Sequence, residues 1–468
     1  MASDHSGAPA RRRGKDAESS SSCSARRWIL GLVFLLAACS IARMALVVSD
    51  SPDLPPRAEP WDQHEQQEEQ RLSSVESQSS SLEKDRRHPE QGMKEKIFLP
   101  SPALAQALAQ RESLRVIDTI ADNGPYHSRR AFLDDYRDMV NTMKVFVYPC
   151  SPRDPFSHIF LPTSSAPSGN YASEAYFKKA LAGSGMVTDD PSQADLFFMP
   201  FSITRLRNDP KVGVGRMPAF VRDYVKNISH RWPYWNRTGG SDHFYVACHS
   251  IGKVALEKAQ HVKLNAIQVV CSSNYYVQGF IPHKDVAIPQ IWPRSESFRE
   301  IKTIEQRKVL AFFAGGSNSP VRANVVRTWR NDTQIHAYPS RIQGSYAEAL
   351  LRSKFCLHVK GYEVNTARLG DAFFYGCVPV VIANHYDLPF SSVLNWKSFS
   401  VVVTTANIPK LKAILSGISR EDYSQMHRLV LDARRHFQWH APPREYDAFY
   451  MVMYQLWLRR HVVRYPLH

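Results

Sequence analysis

The sequence predicts an α/β fold in which two Rossmann-type lobes face one another across a cleft, and three observations carry that prediction. The first is residues 353–382, SKFCLHVKGYEVNTARLGDAFFYGCVPVVI, which read as strand, glycine-bearing loop, helix, glycine turn and second strand. That order is the βαβ grammar of a nucleotide-binding sheet. The second is an earlier alternation of the same kind, with apolar strands KVFVY at 144–148 and ADLFFMP at 194–200 on either side of the helical run YASEAYFKKALA at 171–182. The third is size: 468 residues, 43% of them hydrophobic, are ample for two cores, since single domains commonly run about 100–200 residues.

Residues 1–27 are polar and carry Arg11, Arg12, Arg13, Lys15, Arg26 and Arg27, a cytosolic tail by the positive-inside rule. Residues 28–48 form one apolar run whose single charge is Arg43. A cleaved signal peptide and a spanning anchor both begin this way. The type II anchor is preferred, because the basic tail is long and no small-x-small cleavage site is evident. Residues 49–130 are rich in Gln, Glu, Ser, Pro and Arg and poor in aromatics, the composition of a disordered stem, with a short amphipathic helix expected at 104–114. Ordered structure is expected from Ala131, with a first lobe to residue 295 and a second over 296–468.

The net charge of +15 is spread along the chain, and no zinc-finger, homeodomain or RNA-recognition signature accompanies it. A nucleic-acid partner is therefore not expected. A nucleotide-sugar, an acidic polysaccharide or an anionic bilayer suits a basic surface equally well. Asn227, Asn236 and Asn331 head glycosylation tripeptides, consistent with a lumenal body. Five cysteines follow the apolar run, Cys150, Cys248, Cys271, Cys356 and Cys377, so two disulfides at most can form there; Cys248 with Cys271 is one candidate. Their spacing fits no zinc site, and no metal centre is expected.

In the first lobe, RWPYWNRTGGSDHFYVACHSIG at 231–252 crowds Trp232, Tyr234 and Trp235 ahead of a Gly-Gly turn, and Asp242 and His243 then open a strand. Aromatic faces beside a carboxylate and an imidazole suit a sugar site. The plain alternative, core aromatics with a structural Asp242–His243 turn, stays open on chemistry alone. Lys284 ahead of 285–289 is either a phosphate ligand or a solvated loop lysine. In the second lobe, the strand KVLAFF at 308–313 ends at Gly315 and Gly316 and leads into a helix bearing Arg322 and Trp329, where backbone can approach a pyrophosphate. Neither G-x-G-x-x-G nor a Walker loop occurs, which argues against dehydrogenase and NTPase chemistry.

The loop at 360–365 brings Gly361 to the carboxyl end of a buried strand, where open α/β sheets bind ligands. Asn365 or Thr366 is expected to cap the next helix. Arg368 and Asp371, three residues apart, share a face of that helix and can meet a phosphate and a ribose hydroxyl from one side. A surface Arg–Asp pair on a structural βαβ unit is the alternative.

The chain resembles the exostosin-like glycosyltransferases, glycosyltransferase family 47, in residues that run in the family's order. The signature is matched at Ser353, Lys354, Phe355, Cys356, Leu357, Gly361, Arg368, Ala372, Gly376, Cys377, Val378, Pro379, Val380 and Val381. Further matches are Phe312, Phe313, Gly315, Val321, Arg322 and Trp329, the strand at 144–148, Glu174 in the family's glutamate position, the segment around Trp235, Asp242 and His243, and Asp285 at a hinge between lobes. Three departures stand out: Thr366 for Ser, Asp371 for Glu, and Ser250 for the Asp that often follows the residue matched by His249.

The resemblance implies a GT-B-like arrangement with the acceptor on the first lobe and the donor on the second. It implies an inverting transfer from a nucleotide-sugar, expected to be a UDP-sugar, by one displacement. Asp242, His243 and His249 are then the candidate bases, Glu174, Trp235 and Asp285 the acceptor-lobe candidates, and Gly315, Gly316, Arg322, Gly361, Thr366, Arg368 and Asp371 the donor site. With no Asp-x-Asp in the chain, leaving-group charge is expected to fall to arginines and a helix amino terminus, with no cofactor required. The single-domain form resembles the plant branch, which builds cell-wall polysaccharides at the Golgi membrane. A scaffold of weak activity in a Golgi glycosyltransferase complex is the alternative that the three departures leave open.

Overall fold

A computed structural model of the chain describes residues 124–276, 279–294 and 300–460. The tail, the anchor at 28–48, the helix at 104–114 and nearly all of the expected stem lie outside the described residues. Among the described residues no helix is long and apolar enough to cross a membrane.

The first lobe is a six-stranded sheet in the order β2-β1-β3-β4-β5-β6. Its strands are β1 (Val145–Val147), β2 (Val187–Thr188), β3 (Leu196–Phe198), β4 (His243–Ala247), β5 (Ile267–Val270) and β6 (Val286–Ala287), all paired in parallel. Alternate residues feed two separate cores. Val145, Phe198, Phe244 and Val246 pack on one face, and Phe146, Phe197, Tyr245 and Ala247 on the other. Two-sided burial explains why these strands read as continuous apolar runs. The second face is covered by α3 (Gly213–Arg231), whose Met217, Val221, Val225 and Ile228 recur at helical spacing. The first face is covered by α2 (Ala172–Ala182), through Phe177.

The second lobe is a five-stranded parallel sheet in the order β11-β10-β9-β7-β8. The strands are β7 (Val309–Ala314), β8 (Ile335–Tyr338), β9 (Ser353–Val359), β10 (Val378–Ile382) and β11 (Val401–Val402). The chain leaves β7 toward β8 on one side and returns to place β9 on the other. The loops after β7 and β9 therefore part from each other, and a crevice opens between them at the carboxyl edge.

One expected boundary is corrected. The stem is expected to run to 130, yet Tyr126 is buried, stacks on Phe132 at 5.0 Å and bonds through its hydroxyl to His436 Nε2 at 2.8 Å. Its ring supplies the apolar surface that the preceding polar sequence lacks, and α1 (Arg129–Thr142) follows directly. The division at residues 295 and 296 is crossed by the last helix, α9 (Ala448–Arg459). It sets Phe449 against Phe177 and Tyr454 against Phe132, and Arg459 Nη2 donates to the backbone oxygens of Pro282 and Asp285. Disulfides join Cys248 to Cys271 and Cys356 to Cys377, and Cys150 is free.

Candidate active site

The crevice between β7 and β9 holds two guanidinium groups. Arg322 lies on α5 (Pro320–Trp329), a helix capped by Ser319 and opened by a proline at its first position. Its Nη1 donates to Asn318 Oδ1 at 2.7 Å and its Nε to Val359 O at 3.2 Å. Arg368 opens α7 (Arg368–Phe374) and donates through Nε and Nη2 to Ala314 O, at 3.0 and 2.8 Å. Both lie over the ring of Phe313. Among the described residues neither has a carboxylate partner. Burial, and then the charge of Arg368, lower the Arg322 pKa to about 10.

Two glycines make room for this pair. A Cβ on Gly315 would stand 2.1 Å from Arg368 Nη2, and one on Gly361 2.7 Å from Arg322 Nη2. Their missing side chains are thus filled by arginine, whereas the space beside Gly316 is open. Thr366 is the hub beneath: its Oγ1 accepts from the Arg368 N–H at 3.2 Å and contacts His358 Nδ1 at 3.3 Å, while His358 Nε2 donates to Val364 O at 2.8 Å. Asn365 does not cap the helix. Its Nδ2 donates to Gln290 Oε1 at 2.7 Å, which leaves Oδ1 buried without a hydrogen-bond partner among the described residues.

Asp371 does not pair with Arg368. Arg294 approaches its Oδ1 through Nε and Nη2 at 3.0 and 2.7 Å. Burial raises the Asp371 pKa, against the pull of Arg294. One turn below Arg368, the pair borders a cavity of about 540 Å³ that Trp292, Phe374, Trp439 and Lys179 help to line.

The first-lobe candidates are dispersed. Asp242 and His243 sit at the amino end of β4, and His249 follows its carboxyl end. The five residues of β4 separate them by roughly 17 Å of strand. Asp242 is bound by Arg237 Nη2 (2.7 Å), the Thr238 hydroxyl (2.6 Å) and His243 Nδ1 (2.7 Å). Although burial pushes its pKa up, His243 and these donors hold it below the usual range. His243 is fully buried, accepts the Tyr148 hydroxyl at Nε2 (2.7 Å) and stacks on Phe197, with Trp235 edge-on. Asp242, His243 and Trp235 are parts of a packed core, because α3 and the following turn close over that face of the sheet. The expectation that they meet an acceptor is corrected accordingly.

Glu174 is enclosed by the hydroxyls of Ser202 and Thr204 and the N–H of Cys248, and burial raises its pKa. Asp285 is fully buried against Lys284, the Gln268 and Ile281 N–H groups and Gln268 Nε2. Lys284 therefore faces neither a phosphate nor solvent. His249 is half-buried at the carboxyl edge and lies against Tyr171. Asn227, Asn236 and Asn331 are exposed.

Two parallel sheets, a switch-point crevice and an arginine pair without an ion-paired carboxylate among the described residues make up the candidate site. The Exostosin GT47 domain matches residues 139–418. The chain belongs to the exostosin family of glycosyltransferases. It is 37% identical over 351 residues to a probable glycosyltransferase of Arabidopsis thaliana, covering 72% of this chain and 66% of that one. A second of that description, also from Arabidopsis, is 31% identical over 84% of this chain and 83% of its own length. A probable glucuronoxylan glucuronosyltransferase of Arabidopsis is 29% identical over 68% of this chain and 76% of its own.

As an exostosin-family glycosyltransferase, the chain gathers Gly315, Arg322, Gly361, Thr366 and Arg368 at one crevice, with Asp371 one turn away. Sequence reasoning missed Arg294, His358 and the Cys356–Cys377 bridge. His358 had a signal, a lone imidazole inside an otherwise apolar strand. Arg294 had none, because its partner lies 77 residues on.

Proposed function

We propose that the chain transfers a sugar from a nucleoside-diphosphate sugar, expected to be a UDP-sugar, to a hydroxyl of a cell-wall polysaccharide or related glycan, with inversion at the anomeric carbon. The observation that carries this reading is the Arg322–Arg368 pair, one guanidinium buried and one half-buried, answered among the described residues by neutral oxygens near the amino end of α5. A diphosphate leaving group supplies the missing negative charge, and its stabilisation grows as the donor bond breaks. Asp371 and Arg294 would meet the ribose or base side, and the orphaned Asn365 Oδ1 would accept a sugar hydroxyl.

Because two guanidiniums and a helix terminus answer the diphosphate charge, the reaction needs no metal in this proposal. The acceptor class follows the name of one relative, a probable glucuronoxylan glucuronosyltransferase. Location at the Golgi membrane as a type II protein rests on the amino-terminal sequence; two disulfides support an oxidising lumen. A scaffold role in a Golgi complex is the second reading. The Arg294 clasp on Asp371 favours it, since it engages the carboxylate that a donor would use.

The deciding experiment is nucleotide release by the full-length chain from a panel of UDP-sugars, with plant polysaccharide acceptors, with and without chelator. Acceptor-dependent release from one donor supports the transferase. Loss with chelator and recovery with manganese overturns metal independence, and no release together with no UDP binding favours the scaffold.

A further inference from the structure

The reaction proposed above requires a base for the acceptor hydroxyl, and the structure narrows the search to the edge where the two lobes meet. Asp242 and His243 are at the opposite end of β4. Glu174 and Asp285 are enclosed by protein donors. His249 is at the right edge, but the Ile251 N–H donates to its Nδ1 at 3.1 Å. The lone pair on Nδ1 is thereby engaged, so the neutral ring carries its proton on Nε2 and presents a donor. Burial, and then the charge of Arg207, lower its pKa. His249 in this setting can hold an acceptor oxygen by donating to it, but has no free lone pair to deprotonate it.

A further carboxylate lies at that edge among the described residues. Glu363 lies in the loop after β9, two residues from the Gly361 that seats Arg322, and reaches across to the first lobe. Its Oε2 accepts the hydroxyl of Ser272, just beyond β5, and stands 3.9 Å from Lys253 Nζ. Ser272, Lys253 and His249 line one small pocket at the carboxyl edge of the first sheet. Glu363 keeps 22% of its side-chain surface exposed, unlike Glu174 and Asp285. Tyr362, next to it, is 65% exposed, an aromatic face on which an acceptor pyranose can stack.

We propose that Glu363 is the catalytic base, resting on the transferase reading. The acceptor O–H bond breaks with its proton passing to the Glu363 carboxylate. The acceptor oxygen bonds to the anomeric carbon, and the bond from that carbon to the phosphate oxygen breaks, its electron pair leaving with the nucleoside diphosphate beside Arg322 and Arg368. Ser272 orients the carboxylate, and His249 Nε2–H holds the acceptor. The loop at 360–366 thus serves both substrates, Gly361 and Thr366 on the donor side and Glu363 on the acceptor side.

The test compares full-length Glu363→Gln, Glu363→Asp and Ser272→Ala for transfer and, separately, for UDP affinity by calorimetry. Glu363→Gln should lower turnover at saturating donor by about 10²–10⁴-fold with UDP affinity within about threefold of the parent. Glu363→Asp should retain more turnover than the glutamine variant, and Ser272→Ala should stay within about tenfold of the parent. Turnover of Glu363→Gln within about tenfold of the parent overturns the assignment. So does a parallel loss of UDP affinity, or a Ser272→Ala loss equal to that of Glu363→Gln, because either makes the carboxylate a support for the loop. A parent chain that binds UDP but transfers nothing overturns the transferase reading itself.

Discussion

The two lobes carry comparable collections of ionisable residues on parallel sheets, and they hold them in opposite ways. In the first, every buried charge that the sequence drew attention to is closed by the protein: Asp242 by Arg237, Thr238 and His243, Asp285 by Lys284 and Gln268, Glu174 by Ser202 and Thr204. In the second, Arg322 and Arg368 face carbonyl and amide oxygens and each other. A closed network stabilises the fold and has nothing left to offer a ligand. An unbalanced pair is costly until an anion arrives, which is why it marks a site.

The sharpest way to break this contrast is Arg368→Ala. Charge-assisted hydrogen bonds contribute about 1.5–3 kcal/mol each, so UDP affinity by calorimetry should fall about 100-fold with the melting temperature little changed. Gly315→Ala should act in the same direction, because its Cβ would occupy the place of Arg368 Nη2. Unchanged UDP affinity in both variants would mean that the arginines are structural like the first-lobe charges.

The reverse experiment is His243→Ala. It opens a cavity among Phe197, Tyr148 and Trp235, removes one of the three donors to Asp242 and orphans the Tyr148 hydroxyl, a loss of about 3 kcal/mol in denaturant unfolding. Turnover per folded molecule should be unchanged. A stable variant with turnover down 100-fold would return His243 to the list of bases and dissolve the distinction between the lobes.

Much of this was legible in the chain, and the limits are physical. Parallel strands buried on both faces write themselves as apolar runs, so β1, β3, β7, β9 and β10 were found nearly to the residue. Gly315 stands out in the sequence because glycine lets backbone approach a pyrophosphate, and Arg368 because it lies near the start of a helix; that Gly315 and Gly361 make room for guanidiniums is visible only in the structure. The rule that open sheets bind ligands at their carboxyl ends picked out residues 360–365. Applied to a strand that begins at His243, it also sets residues 242 and 243 aside. Arg294 and Glu363 stayed hidden because their meaning depends on partners 77 and 91 positions away, a relation that no local pattern records.

The crevice also has a pH signature. His358 is buried, and burial first, then the charges of Arg368 and Arg322, lower its pKa to about 4. The unfolded chain, with an ordinary histidine pKa of about 6.5, takes up the proton first. The contribution of His358 to stability is therefore complete above about pH 6.5 and is lost as pH falls toward 4. At pH 5 the loss is about 2 kcal/mol. His358→Gln should flatten the curve of stability against pH by that amount between about 6.5 and 5, and an unaltered slope would mean that the ring titrates alike in the folded and unfolded protein.

The smallest effect concerns Thr366, where the family usually has serine. What the crevice uses is the hydroxyl, which links the Arg368 N–H to His358 Nδ1, and the extra methyl is incidental to that link. Thr366→Ser should therefore leave UDP affinity within about twofold, whereas Thr366→Ala removes one neutral hydrogen-bond relay and should weaken it about five- to tenfold. Equal affinities for all three would show that Arg368 is positioned by Ala314 O alone. A loss in Thr366→Ser as large as in the alanine variant would instead make the methyl, and its packing under the loop, the feature that sets the arginine.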